Sequence, residues 1–160
     1  IANKYNVPFT PRGAGTGLSG GATTVAGGIS LVLTRMSGII EIDRENMVAH
    51  VQVGLPNLAL SKACEKFGLY FAPDPSSQAA STIGGNLAEN SGGPHTLKYG
   101  MTCHHVTGVK VVLPDGKITT FGGKAKDNLG LDLLGVFVGS EGTLGVLHNG
   151  GLLVKTGVRN

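Results

Sequence analysis

Glycine clustering is the feature that most restricts what this chain can fold into. Of 160 residues, 27 are glycine, more than twice the average share of ~7%. They gather at 13–28, 84–93 and 139–151, between runs rich in Val, Ile and Leu. No G-x-y period joins them, which excludes a collagen-like helix. Glycine has no Cβ and tolerates φ > 0, so a cluster of it marks backbone that turns tightly or closely approaches a ligand. Regular elements must therefore alternate with three glycine loops, and those loops are the first candidates for a site.

The stretches between them carry their own signals. Ile1-Ala2-Asn3-Lys4-Tyr5 reads as the last turn of a helix with Asn6 at C′. No initiating Met precedes it, so the chain is expected to be an N-terminally truncated piece of a longer protein. Val7 to Thr10 predicts a short strand that runs into Pro11-Arg12-Gly13. Ile29 to Thr34, Gly38 to Asp43 and Met47 to Val53 are β-rich, with Arg44-Glu45-Asn46 as a turn between the last two. Three strands with short connections predict an antiparallel meander. Leu55 to Phe67 predicts a helix, with Pro56 in its first turn and Gly68 closing it. Leu58, Ala59, Ser61, Ala63, Cys64 and Phe67 supply its mostly apolar stripe. Leu69 to Ala72 reads as a strand, and Ser81 to Asn90 as a short helix despite Gly84-Gly85. Val106 to Leu113 and Lys117 to Phe121 flank Pro114-Asp115-Gly116, where Pro fixes φ and Gly takes the left-handed position of a turn. Leu129 to Val138 is apolar and open between helix and strand.

Charge narrows the function. A formal net charge of +3 comes without a basic run, and 5% aromatic residues offer few stacking platforms. Nucleic acid is therefore not an expected partner. No segment reaches the ~18 apolar residues of a membrane span, and no signal peptide opens the chain. Cys64 and Cys103, lacking CxxC spacing, point to a reducing compartment. A cytoplasmic location is expected, peripheral to a membrane in the full complex.

The first loop continues a strand into Pro11-Arg12-Gly13-Ala14-Gly15-Thr16-Gly17-Leu18-Ser19-Gly20-Gly21. Such a segment lays down many backbone N–H groups with few side chains in the way, and successive amides can form a concave nest for an anion. A pyrophosphate is the natural guest, with Thr16 and Ser19 adding hydroxyls and Arg12 adding charge. Gly15 to Gly20 also matches G-x-G-x-x-G, but that reading requires a helix to follow. Here Gly21-Ala22-Thr23-Thr24-Val25-Ala26-Gly27-Gly28 follows, glycine-broken and β-branched. Gly17 to Gly21 matches G-x-S-x-G and fails the same requirement. No Walker A sequence is present. The second loop joins Pro73-Asp74-Pro75-Ser76-Ser77 to Ser81-Thr82-Ile83-Gly84-Gly85-Asn86, extended by Asn90-Ser91-Gly92-Gly93. The third is Gly139-Ser140-Glu141-Gly142-Thr143-Leu144-Gly145-Val146. Three separated loops of small polar residues suit one long, phosphate-bearing ligand touched along its length.

The residues that tempt a metal or acid–base reading are weaker. Cys103-His104-His105 are adjacent, and neighbours on a strand face opposite ways, whereas zinc needs four convergent ligands. No metal is expected. His95, beside Gly92-Gly93, reads as a surface-loop histidine or one that faces a ligand, and His50 as an exposed strand residue. Cys64 reads as packing. Asp74 either polarises a cofactor group or stiffens its Pro-Asp-Pro turn.

Taken in order, Pro11 to Gly21, Ala72 to Ser77, Ser81 to Asn86, Glu89 to Gly93, Lys98 to Gly100 and Gly139 to Val146 resemble the FAD-binding domain of the vanillyl-alcohol oxidase, or PCMH-type, superfamily. The resemblance covers about residues 3–146 and is nearest the branch of glycolate oxidase FAD subunits and D-lactate dehydrogenases. It implies an α+β fold of two α/β subdomains with an extended FAD between them. On this resemblance Arg12, Gly13, Ala14, Gly15, Thr16, Gly17, Leu18, Ser19 and Gly20 hold the pyrophosphate. Pro73, Asp74, Ser76, Ser77, Ser81, Thr82, Gly84, Gly85 and Asn86 lie near the ribityl chain and flavin, with Gly92 and Gly93 close by. Glu141, Gly142, Gly145 and Val146 complete the other side. Some members attach flavin covalently through a first-loop histidine; Thr16 stands at that position here, which implies noncovalent FAD.

The implied activity is that of a flavin-dependent oxidoreductase that moves hydride from the α-carbon of a 2-hydroxy acid, glycolate or D-lactate, to FAD. Electrons would then pass to an acceptor subunit or quinone. Related readings are an ether-lipid (alkyl-dihydroxyacetone-phosphate) synthase and a noncatalytic nucleotide-binding module. The FAD-binding domain is expected over 1–146, with a divergent tail at 147–160. The catalytic substrate domain of the family is absent, so no catalytic residue is assigned and the piece alone is expected to be inactive.

Overall fold

The largest sheet takes its middle strand from the far end of the chain. The computed structural model describes residues 1–123, 130–153 and 155–156. Helix α1 (Ala2–Tyr5) stops at Asn6, which takes φ 51° as the cap, a conformation asparagine tolerates. Strand β1 (Phe9–Arg12) pairs in parallel with β2 (Ile29–Val32), Phe9 opposite Ile29 and Arg12 opposite Val32. Parallel neighbours need a long crossover, and the glycine-rich segment 13–28 supplies it.

The expected three-stranded meander is therefore corrected. Of those three strands, just β3 (Ile39–Asp43) and β4 (Val48–Gln52) pair as an antiparallel hairpin, with Asp43 Oδ1 accepting from the Asn46 amide at 3.0 Å. After β2 the Leu33 amide still donates to Arg12 at 2.9 Å, and a turn from Leu33 to Met36 then redirects the chain. The glycine crossover has committed β2 to β1 before β3 begins.

Helix α2 (Asn57–Glu65) begins after Pro56, which acts as N-cap rather than occupying the first turn, and Gly68 at φ 67° ends the segment. The short strand β5 (Leu69–Tyr70) follows. Helix α3 (Ile83–Glu89) is capped by Thr82, whose Oγ1 accepts from the Gly85 amide at 3.2 Å. Helix α4 (Thr96–Tyr99) and a 3₁₀ turn at Thr102–His105 lead into β6 (Val106–Val112). The turn through Pro114, Asp115 and Gly116, with Gly116 at φ 86°, joins β6 to β7 (Ile118–Gly122). The ambiguous apolar stretch becomes helix α5 (Leu133–Phe137), capped by Asp132; its expected start at residue 129 lies outside the described residues. Strands β8 (Val146–Leu153) and β9 (Lys155–Thr156) complete the order, and β9 pairs with β5.

The main sheet runs β3-β4-β8-β6-β7, and each neighbouring pair is antiparallel. Residues 147–153, within the tail expected to diverge in sequence, fill the centre of the sheet: Leu152 lies opposite Ala49 on one side, and Gly150 opposite Val109 on the other. Gly150-Gly151 looks like a break in sequence because glycine weakens strands. Here it clears space. A Cβ on Gly151 would stand 2.6 Å from Thr107 Oγ1, and one on Gly150 3.4 Å from Leu87 Cδ1, so α3 can settle onto the sheet. Residues 157–160 of that expected tail lie outside the described residues.

Ala49, Val51, Leu60, Phe71, Ile83, Leu87, Val111 and Leu152 form the buried core, each large side chain contributing roughly 1.5–3 kcal/mol on burial. Among the described residues no helix is long and apolar enough to cross a membrane.

Cys64 sits in this core, whereas Cys103 is exposed. Burial pushes the Cys64 thiol from the ordinary 9.0 up to about 11. The folded state therefore holds that proton more tightly than the unfolded chain does, and the stability it contributes is lost as pH rises from 9.0 toward 11. A thiol-reactive disulfide reagent should modify Cys103 in the native protein and Cys64 only after unfolding. Between pH 8 and pH 10.5, urea midpoints should fall more in the wild type than in Cys64→Ala.

Candidate functional site

Strand β1 delivers the chain to the glycine loop at Arg12, and the loop then lies directly on the start of α3. A Cβ on Gly13 would stand 2.3 Å from Thr82 Oγ1, the same oxygen that caps α3. Only a residue without a side chain permits this approach. The Arg12 guanidinium folds back over the loop, its Nη2 2.6 Å from where a Cβ on Gly15 would be. Among the described residues, no backbone acceptor takes the N–H groups of Ala14 to Ala22. Backbone donors are normally paired, so this row of amides is available to a ligand.

Helix α3 is fixed at both ends. Its first amides, Ile83 and Gly84, donate to the carbonyls of Leu55 at 2.9 Å and Val53 at 2.7 Å. At its other end the carbonyls of Leu87 and Ala88 accept from the amides of Gly139 and Glu141, both at 2.9 Å. The third loop is thereby held against α3. It also reaches the first: a Cβ on Gly142 would lie 3.2 Å from Pro11 Cγ. The three glycine loops enclose one trough of about 410 Å³, within the usual range for ligand sites.

Most of the expected residues line it. The first loop contributes Arg12, Gly13, Ala14, Gly15, Thr16, Gly17, Leu18 and Ser19; the second contributes Ser76, Ser77, Thr82, Gly84, Gly85 and Asn86; the third contributes Glu141, Gly142 and Gly145. Seven others stand off the lining. The Gly20 carbonyl accepts from Thr23 in a turn, and the Ser81 carbonyl accepts from Asn57. The Pro73 carbonyl accepts from Asn57 Nδ2 at 3.0 Å. Asp74 is buried and its Oδ2 pairs with His95 Nδ1. Gly93 packs on Asp74 and Gly92 on Thr96, so closely that neither has room for a Cβ. Val146 opens β8.

Ser91, expected only as an extension of the second loop, and Glu89, expected only within the Glu89 to Gly93 motif, also line the trough, as do the apolar Leu33, Val53 and Leu147. Helical spacing carried the signal for Glu89: it lies three residues beyond Asn86 and four beyond Gly85, on the same face. The histidines do other work. His50 is half-buried rather than exposed, because it pairs inside the sheet opposite Gly151. His105 is buried with Nε2 2.8 Å from the Tyr99 carbonyl. Among the described residues no group of three or more His, Cys, Asp or Glu could hold a metal ion.

Residues 1–122 match the sequence family described as an FAD binding domain. The chain belongs to this family. It is 51% identical over 148 residues to the glycolate oxidase subunit GlcD of Bacillus subtilis, covering 92% of this chain and 32% of that protein. It is 43% identical over 148 residues to a D-lactate dehydrogenase of Anaerostipes hadrus, covering 92% of this chain and 31% of that one. The chain thus spans about a third of the length of these curated relatives. A solved structure of an alkyldihydroxyacetonephosphate synthase superposes with a TM-score of 0.85 at 32% identity, over 97% of this chain and 28% of the other. The fold is the α+β, PCMH-type architecture, with the trough between its small parallel sheet and its large antiparallel one.

The trough's chemistry fits the diphosphate and polar chain of FAD. It offers amides that no backbone acceptor takes, the Arg12 charge and hydroxyls, and Asn86 Nδ2 is a buried donor with no partner among the described residues.

The contact between Gly13 and Thr82 can be tested apart from any ligand. Gly13→Ala should destabilise the domain by about 1–3 kcal/mol through overpacking, and Thr82→Ala by about 1 kcal/mol through loss of its cap. Because Thr82→Ala also removes the colliding oxygen, the double variant should be more stable than the two losses added together. Thermal denaturation of all four proteins checks this.

Proposed function

We propose that this FAD binding domain belongs to an oxidoreductase of CH–OH donors that oxidises a small 2-hydroxy acid of the glycolate or D-lactate type. One observation carries the cofactor part: three loops distant in sequence meet on one trough, and the longest offers amides that no backbone acceptor among the described residues takes. The identity of 51% with a glycolate oxidase subunit supports the substrate class.

In this reading the amides from Gly13 to Gly20 and the Arg12 guanidinium hold the diphosphate. Ser76, Ser77 and the Thr82–Asn86 segment orient the ribityl chain and flavin, and Glu141 to Val146 close the opposite side. Asp74, Pro73, Ser81, Gly92 and Gly93 act from behind the lining; the Asp74–His95 pair fixes the turn that carries Ser76 and Ser77. Bound FAD supplies the acceptor for the hydride that leaves the substrate's α-carbon. The chain's residues position it and exclude water along the glycine loop. Thr16 has no imidazole to form a covalent link, so acid should release the flavin intact. The groups that hold the substrate belong to the length of the relatives that this chain does not span. Electrons leave to an acceptor subunit, and the setting is cytoplasmic or peripheral to a membrane.

The superposition on an alkyldihydroxyacetonephosphate synthase favours a second reading, a flavoprotein of that type. Anaerobic titration of the full-length, FAD-loaded protein separates them. Glycolate or D-lactate should bleach the flavin band stoichiometrically if the dehydrogenase reading holds. A spectrum unmoved by either acid removes that substrate class. Arg12→Ala should weaken FAD binding about ten- to a hundredfold, the loss of one charged hydrogen-bond donor, as read by flavin fluorescence on dilution.

A further inference from the structure

Glu89 is the last residue of α3, where the helix's own carbonyl end disfavours negative charge. Its carboxylate nevertheless reaches out to the glycine loop. Oε2 accepts from Ser19 Oγ at 3.3 Å, across 70 positions of sequence. Oε1 lies 3.3 Å from where a Cβ on Gly17 would stand and 3.9 Å from the corresponding place on Gly21. Gly17 therefore eases the approach of the carboxylate, since a Cβ there would be tighter than ordinary contact, whereas one on Gly21 would only touch it. The same loop carries the amides of Ala14 to Ala22, which no backbone acceptor among the described residues takes. An acidic side chain has come to rest beside the stretch of backbone best suited to bind an anion.

We propose that Glu89 is a stand-in anion on the glycine loop: its carboxylate orders the loop, competes with a diphosphate for it, and so sets how tightly FAD is held. The proposal rests on the reading that the diphosphate binds at this loop. Two negative groups a few ångströms apart at a partly solvated surface repel each other, and salt weakens that repulsion. A glutamine at the same place keeps the hydrogen bond to Ser19 and removes the charge. Glu89→Gln should therefore tighten the complex, the opposite of what removing an ordinary ligand contact does.

The experiment uses the full-length protein stripped of flavin, titrated with FAD and separately with riboflavin, which has the ring and ribityl chain but no phosphate. Glu89→Gln should lower the dissociation constant for FAD by about tenfold at low ionic strength, and by less as salt is raised. Riboflavin affinity and the thermal midpoint of the stripped protein should stay at the wild-type values. Unchanged or weaker FAD binding would overturn the proposal, since Glu89 would then be a structural strut or would hold a ligand hydroxyl. Equal tightening of riboflavin would overturn it too, because the effect would not involve the phosphates. If Glu89→Gln fails to fold, Glu89→Ala is read by its FAD affinity relative to its riboflavin affinity alone, because it also removes the bond to Ser19. Arg12→Ala is the companion variant: if it leaves FAD affinity intact, the placement of the diphosphate on this loop has failed, not the role of Glu89 alone.

Discussion

The amide of Gly84 meets the carbonyl of Val53 at 2.7 Å, at a point where a Cβ would stand 2.7 Å from Val53 Cβ. That contact seats α3 on the end of β4, and the trough is arranged around α3. Thr82 at its entrance fixes the first loop through Gly13. Leu87 and Ala88 at its exit fix the third through Gly139 and Glu141. One short helix thus fixes loops that sequence separates by more than a hundred positions. At Gly13 and Gly84 glycine is needed for proximity, since both crowd their neighbours without a positive φ, whereas Gly139 has room for a Cβ and is needed for its φ of 85°.

How far the sequence disclosed this depended on the range of each interaction. The helix ended by Gly68, the turn at Pro114-Asp115-Gly116 and the short helix through Gly84-Gly85 were legible because local residues decide them. The pairing of β2 was not, because nothing in Ile29 to Thr34 states which strand it will join; the long crossover decides that. The place of β8 was hidden by Gly150-Gly151, whose missing side chains answer to Leu87 and Thr107 in other elements. In the site, the glycine loops announced themselves. Glu89 did not, since a charge at a helix end reads as solvated until the partner loop is known.

The trough joins two electrostatic tendencies. Its rim carries a guanidinium and a row of free amides, which favour an anion. Its inner side carries Glu89, with Glu141 on the third loop, which disfavour one. Hydroxyls of Thr16, Ser19, Ser76 and Ser77 and the buried amide of Asn86 lie in the same lining. Such a surface suits a ligand that alternates charged and hydroxylated parts better than one that is uniformly anionic.

The late position of β8 also bears on how the domain is made. Strands β4 and β6 each pair with β8 rather than with each other, and residues 146–153 of β8 follow β4 by nearly a hundred positions. On a ribosome both inner strands emerge with open edges and must wait until the last has been synthesised. Contacts this distant in sequence form slowly, and unpaired strand edges invite intermolecular pairing meanwhile. Nascent chains stalled before Val146 should thus need a chaperone more than those released after Leu153.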